Sequence, residues 1–361
     1  MEPNIISIKG LYFSIKNQSI LDIPDFNIKK GERVCILGEN GAGKTSLILA
    51  ISNLLKFNKG DIYFYGKKTG RDISKSEFLK KIAIVFQDPL LINDSVFNNI
   101  AMVLKFRKAP KEEIEKRVNN VLSMLNLEHL KEKNVNSLSG GEAQRVNIAR
   151  AIVFEPEILF LDEPFSALDS AYKDSLISDL SKIIEKKKIT LIMTTHNRYE
   201  AFRLCERFVV LEKGKIIMDT NLDNLIKSPC NEFIANFIGY ETILDGTIEY
   251  SEDGIYSAKV GNNRIVGAGN FNKGDRIIIC LNPENVALSK NPIKEDSSIR
   301  NCFKGVVTEL NNLGYYYRVK IDCGFDIVSY ITKKSLEELK LERNSSVYVE
   351  FKALSVHSFK K

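Results

Sequence analysis

Between residue 5 and about residue 238, short β-branched or aliphatic runs alternate with stretches of helical spacing. ERVCIL (32–37) reads as a buried strand and is followed by a glycine-rich loop and a helix predicted over 44–55. KIAIVF, ILFLD and TLIMTT are further apolar strands, each with a helical segment nearby. Strand–helix alternation of this kind predicts an α/β domain built on a largely parallel sheet. The segment KSPCNEFIANFIGYET (227–242), with its proline and glycine, breaks that rhythm. Beyond it the periodicity shortens. DGTIEY, YSAKV, DRIIIC, NVALS, FKGVVTEL, YYYRVKID, DIVSYI and SVYVEFKAL are short strands separated by turns, and KKSLEELKL is the one helical piece. This half reads as a small all-β barrel.

Composition limits what such a chain can be. A length of 361 residues suggests two domains, and 44% hydrophobic with 27% charged residues is ordinary for a water-soluble globular fold. The net charge of +6 is mild, and the longest basic run, KKK at 186–188, reads as a solvated helix end. Nucleic acid is therefore not an expected partner. Six scattered cysteines without a C-x-x-C pair fit reduced thiols rather than a disulfide framework. MEPNIISIKG lacks the apolar stretch of a signal peptide, and no run reaches the roughly 18–20 apolar residues of a membrane span. Any work at a membrane is expected to go through a partner.

The candidate chemistry is concentrated in the first half. Gly38, Gly43, Lys44 and Thr45 satisfy the phosphate-loop spacing, after a strand and before a helix. Glycines there let backbone N–H groups turn toward phosphates, and the helix N-terminus adds positive potential. Lys44 is placed to reach the β- and γ-phosphates, and the Thr45 hydroxyl to ligate Mg²⁺. ILFLDEP (158–164) ends an apolar strand on two carboxylates, Asp162 for the magnesium shell and Glu163 to orient and deprotonate an attacking water. LSGGEAQR (138–145) sets a serine and two glycines at a second helix start, a second anion cradle in the same domain.

With these stretches in hand, residues 5–240 resemble the ATP-binding cassette (ABC) family. The resemblance is carried by the phosphate loop, VFQDP with Gln87, the LSGGE signature, LDEP, SALD with Asp169 and TTH with His196, in the family's order. It implies an ABC ATPase domain over 1–240 with a helical subdomain, holding ATP and Mg²⁺. It further implies that two copies of the chain face each other head to tail. Gly38, Asn40, Gly41, Gly43, Lys44, Thr45 and Ser46 would cradle one ATP, and Ser139, Gly140 and Gly141 would meet its γ-phosphate from the partner copy. His196 would contact the γ-phosphate, Gln87 the magnesium or water, and Asp169 would lie at the dimer seam. Two positions depart from the family pattern. Glu142 stands where Gln is common, and an acid there should alter a contact rather than abolish the cradle. Ile15 falls at the adenine-stacking position, with Tyr12 and Phe13 just before it.

The rest of the chain narrows the use of ATP. LNPENVALS, SSIRN with FKGVV, and the run 323–359 resemble the TOBE or molbindin-type β-domain of importer ATPases, closest to those for tungstate and molybdate, over 241–361. This implies a peripheral ATPase at the cytoplasmic face of the membrane, coupled to integral permease subunits and to an external solute-binding protein. Ser298, Arg300, Asn301 and Lys304 offer donors suited to a tetrahedral oxyanion. Alternatives are an importer ATPase for another solute such as sulfate, or a soluble ABC ATPase acting on nucleic acid or ribosomes. Two roles are open to the β-domain: binding anion, or only bracing the dimer.

Overall fold

The computed structural model describes residues 3–166, 168–292 and 298–361. The chain divides into two compact units, Met1–Leu222 and Asp223–Lys361. Ala167 and Ser297, which belong to the SALD and SSIRN stretches, lie outside the described residues.

In the first unit the apolar runs form a six-stranded sheet. Its centre is the strand Arg33–Leu37, parallel to Thr190–Thr194 on one side and Arg207–Glu212 on the other. Ile158–Asp162 pairs in parallel with Thr190–Thr194 and with Ile82–Val85. Every residue of Ile158–Asp162 and Thr190–Thr194 is buried. That is why these strands read as continuous apolar runs rather than alternating ones. Parallel pairing brings the carboxyl ends of all five strands to one edge, where ligands collect in open α/β sheets.

A second, four-stranded antiparallel sheet adds to the parallel one that the sequence pattern predicts. Asn4–Ile15 and Gln18–Lys29 form a hairpin through left-handed Lys16 and Asn17 (φ 48° and 65°). Ile6, Ile8, Leu11, Leu21, Ile23 and Ile28 bury one face of this hairpin in the same core as the helix Lys44–Ile51. That helix is shorter than expected, because Asn53 turns left-handed (φ 58°) and the N–H groups of Leu54 and Leu55 bend back to the Leu49 carbonyl. Between the strands Ile82–Val85 and Ile158–Asp162 the chain forms the helices Val96–Phe106, Lys111–Met124 and Gly140–Ile152, the expected helical subdomain. No helix among the described residues is long and apolar enough to cross a membrane.

The second unit is the expected β-domain, with two short helices leading into it. Two five-stranded antiparallel sheets enclose one apolar core that includes Ile248, Tyr256, Ile279, Val307, Ile321, Val349 and Phe351. The helix Glu232–Ile238 packs through Ala235 on Ile278 and Cys280. Here His357 is held with its Nε2 3.3 Å from the Pro229 carbonyl. Burial pushes its pKa below the ordinary 6.5, and the Pro229 contact only partly opposes this. An unfolded histidine therefore takes a proton more readily than the folded one. The stability this neutral ring supplies is complete above pH 6.5 and is lost as pH falls from there through the depressed folded value. Thermal unfolding of the full chain between neutral and mildly acid pH should show the second unit losing stability, and His357→Gln should flatten that slope.

Candidate nucleotide site at the sheet edge

The phosphate loop leaves the central strand at Leu37 and enters the helix Lys44–Ile51 at once. Two glycines are demanded by this path. A Cβ on Gly38 would stand 2.3 Å from the Leu211 carbonyl oxygen. Gly43 caps the helix with φ 103°, a left-handed conformation that side chains resist. Lys44 is 7% exposed, and its Nζ donates to the carbonyls of Gly38 at 2.8 Å and Glu39 at 3.0 Å. Burial lowers the Lys44 pKa from the lysine range, while the nearby Glu163 and Asp162 carboxylates pull it back up. A desolvated ammonium curled over its own loop is a cation ready for an anion. Asn40, Gly41 and Thr45 are exposed and Ser46 is half-buried. These residues fit a nucleotide's phosphates: the glycines leave room, one buried cation serves them, and the hydroxyl of exposed Thr45 stands at a helix start. At the hairpin end, Ile15 is 52% exposed, whereas Phe13 is buried in the core and Tyr12 half-buried. The apolar surface offered there is aliphatic.

The acidic strand end lies across the same edge. Asp162 is 8% exposed, and its Oδ1 accepts from the Thr194 hydroxyl at 2.5 Å. Glu163 takes a left-handed turn (φ 48°), and its N–H donates to the Thr194 carbonyl at 3.1 Å. A non-glycine residue in this region costs about 1–3 kcal/mol, a strain that collects at functional sites. The turn carries the Glu163 carboxylate to His196, with Oε1 2.7 Å from Nε2. Carboxylate and imidazole thus form one pair, exposed enough (27% and 38%) to meet a ligand. Gln87 is exposed just beyond the strand Ile82–Val85, on the same edge.

The signature stretch starts the helix Gly140–Ile152 with Ser139 as its N-cap. Glu142 completes a capping box. Its Oε2 accepts from the Ser139 N–H at 2.7 Å and from the Ser139 hydroxyl at 2.9 Å. These bonds hold the Glu142 carboxyl below the usual carboxylate range. The departure from the family pattern therefore has a local role, since either Glu or Gln closes such a box. Gln144, two residues on, is a residue that sequence reasoning misses. Its buried amide donates to the Pro164 carbonyl at 2.6 Å and links the helix to the turn after Glu163. Asp169 caps the helix Ser170–Lys187 by position, without a side-chain cap bond, and is exposed.

The four oxyanion candidates of the β-unit do not converge. Along Asn301–Asn312 burial alternates, so Asn301 faces inward and Lys304 outward. Ser298 and Arg300 are exposed. The Asn301 amide is spent elsewhere: Oδ1 accepts from the Val266 N–H and Nδ2 donates to the Val266 carbonyl, both at 2.8 Å. Asn301 is 1% exposed and stitches a strand of one sheet to a strand of the other, which corrects its expected place at an anion. Asn301→Ala should lower the stability of the second unit by about 1–3 kcal/mol, because the two backbone groups of half-buried Val266 lose their partners. Denaturant unfolding of the full chain checks this.

The sequence matches the ABC transporter family model over residues 21–166 and the TOBE domain model over residues 297–358. It is 34% identical to the spermidine/putrescine import ATP-binding protein PotA of Thermotoga maritima, covering 90% of this chain and 89% of that protein. It is 32% identical to the molybdate/tungstate import ATP-binding protein WtpC of Pyrococcus abyssi, covering 98% and 100%. Among solved structures, cbiO1 of Clostridium perfringens, part of the ABC transporter complex cbiONQ, superposes with a TM-score of 0.57 at 33% identity, over 63% of this chain and 94% of that one. A dimeric post-hydrolysis state of the ATP-binding cassette MJ0796, bound to ADP and Pi, gives 0.54 at 32% identity, over 60% and 98%. With the phosphate loop, the acidic strand end and the glutamate–histidine pair gathered on one sheet edge, and with full-length relatives of this kind, the chain belongs to the ABC transporter family as an importer ATPase with a TOBE domain.

Proposed function

We propose that this chain hydrolyses ATP with Mg²⁺ to drive import of tungstate or molybdate, working as a head-to-tail dimer beneath a membrane permease fed by an external solute-binding protein. The observation that carries the hydrolytic part is the contact of Glu163 with His196 beside the buried Lys44. Lys44 and the loop from Gly38 to Ser46 would hold the β- and γ-phosphates. Thr45, Asp162 and Gln87 would hold Mg²⁺, which supplies neutralisation of developing charge on the phosphates. Glu163 accepts the proton of the attacking water, and His196 keeps that carboxylate oriented and faces the γ-phosphate.

The dimer is supported by the signature glycines. Among the described residues, a Cβ on Gly140 would meet nothing within 4 Å, and one on Gly141 would meet the Tyr172 ring at ordinary contact distance. Packing within this chain does not demand glycine there, whereas close approach of a partner's nucleotide to Ser139, Gly140 and Gly141 does. Asp169, exposed at its helix start, is available to the same seam.

The cargo reading is supported by the WtpC relative, which matches end to end. The PotA relative, equally similar, favours a second reading in which the cargo is a polyamine. Uptake separates them. Cells lacking this chain should lose tungstate and molybdate uptake and retain spermidine uptake; the reverse pattern establishes the polyamine importer. Titration calorimetry of the full chain with tungstate, molybdate, sulfate and spermidine tests the β-unit separately. Binding that Arg300→Ala or Lys304→Ala weakens would support an anion site using Ser298, Arg300 and Lys304. No heat would leave that unit as a brace.

A further inference from the structure

We infer that Lys173 and Glu200 are positioning residues for His196, a buried ion pair tying the helix that Asp169 caps to the segment that carries the histidine. The inference rests on the reading of Glu163 and His196 as the hydrolytic pair. Lys173 Nζ lies 2.9 Å from Glu200 Oε1, with the two side chains 15% and 3% exposed. Glu200 also accepts from the Thr195 hydroxyl, and the Thr195 oxygen accepts from the Asn197 N–H at 3.0 Å. The Asn197 side chain then caps the helix Arg198–Leu204 by accepting from the N–H groups of Tyr199 and Glu200. Both neighbours of His196 are therefore pinned. Three successive residues meet three different carboxylates: Thr194 meets Asp162, Thr195 meets Glu200, and His196 meets Glu163.

The other end of the strut is equally fixed. The Lys173 N–H donates to the Asp169 carbonyl at 2.9 Å, so its ammonium projects from the first turn of Ser170–Lys187. Glu163 and His196 share a cavity of about 280 Å³ with Lys173, Thr195 and Glu200. Burying two charges costs several kcal/mol for each ion, and a well-packed apolar pair would hold the two helices at least as firmly. An apolar pair would leave the Thr195 hydroxyl without its acceptor and the histidine's segment without a directional anchor. Directional placement of a side chain near reacting groups is where small displacements are costly, of the order of a hundredfold for about 1 Å. A movement of Asp169 at the dimer seam is thereby transmitted to His196 through one ion pair and one hydroxyl.

The test compares full-length Lys173→Met, Glu200→Gln and Lys173→Arg with the unmodified chain, after thermal unfolding has established that each variant is folded. Glu200→Gln keeps the side-chain volume and an acceptor for Thr195, so it remains informative if Lys173→Met fails to fold. Two readouts are taken. The first is the ¹³Cε1 resonance of His196 in the nucleotide-free chain, assigned with His196→Gln. It should move in Lys173→Met and Glu200→Gln and return toward its original position in Lys173→Arg. The second is ATP turnover, where kcat should fall by about ten- to a hundredfold with little change in KM, and recover in Lys173→Arg. Folded variants whose histidine resonance stays unmoved would overturn the inference, as would a kcat loss that Lys173→Arg does not restore. Absence of turnover in the unmodified chain would instead sink the hydrolytic reading, while the resonance would still report on the strut.

Discussion

With Glu163→Gln, kcat for ATP hydrolysis is expected to fall by about 10²–10⁴ while ATP still binds. The substitution keeps the shape of the side chain and a hydrogen-bonding partner for His196, so the pair seen at 2.7 Å can persist as a neutral contact. What it removes is the capacity to accept a proton from water. The backbone turn at Glu163 is set by the Thr194 carbonyl rather than by the carboxylate, so the fold should be indifferent. Steady-state turnover together with a nucleotide titration separates the two effects. With hydrolysis blocked and binding intact, a nucleotide-bridged dimer should accumulate, and size-exclusion chromatography in the presence of ATP would detect it. Unchanged turnover would place the base on another residue.

Lys44→Ala should act on the opposite side of that ledger. Each hydrogen bond from a charged donor is worth about 1.5–3 kcal/mol, or roughly ten- to a hundredfold in affinity, so ATP binding should weaken by at least that much. The stability of the chain should not follow. Burial lowers the Lys44 pKa, which means that the folded state carries this charge at a cost. Its two acceptors are the carbonyls of buried Gly38 and exposed Glu39, and water can serve Glu39 in its place. A midpoint of thermal unfolding equal to or above that of the unmodified chain, alongside lost nucleotide binding, is the expected pairing. A large drop in both would mean that Lys44 is a structural residue whose loop collapses without it.

The strands and chemistry of the first unit were legible because each sits inside a local pattern. A fully buried parallel strand must be a continuous apolar run, and ILFLD and TLIMTT are that. A loop that holds phosphates needs glycines at particular turns, and Gly38 and Gly43 have a steric and a conformational reason to be glycine. The hairpin sheet at the N-terminus was less visible. Ile5 and Ile6 are both buried beside a register shift, and the exposed pair Lys9 and Gly10 interrupts the alternation before Leu11, so the period of two is blurred. Asn301 shows the limit most plainly. As a polar residue at a strand entry it reads as a donor for a ligand, yet its amide closes on Val266, a residue 35 positions earlier. Nothing local distinguishes these outcomes, since the hydrogen-bonding capacity of the side chain is the same in both.

By itself the sequence determined the class of the machine: a phosphate loop, an acidic strand end and a signature helix, each defined within about ten residues and each dictated by short-range backbone geometry. Only the tertiary structure decided which of those parts touch. It brought His196 to Glu163, Gln144 to Pro164 and Lys173 to Glu200 across 33, 20 and 27 positions of chain. Such pairings depend on how strands order themselves in a sheet and on which helix face is buried. Those are properties of the whole core, in which apolar burial sets the positions and the polar contacts then select among the side chains delivered to the same edge.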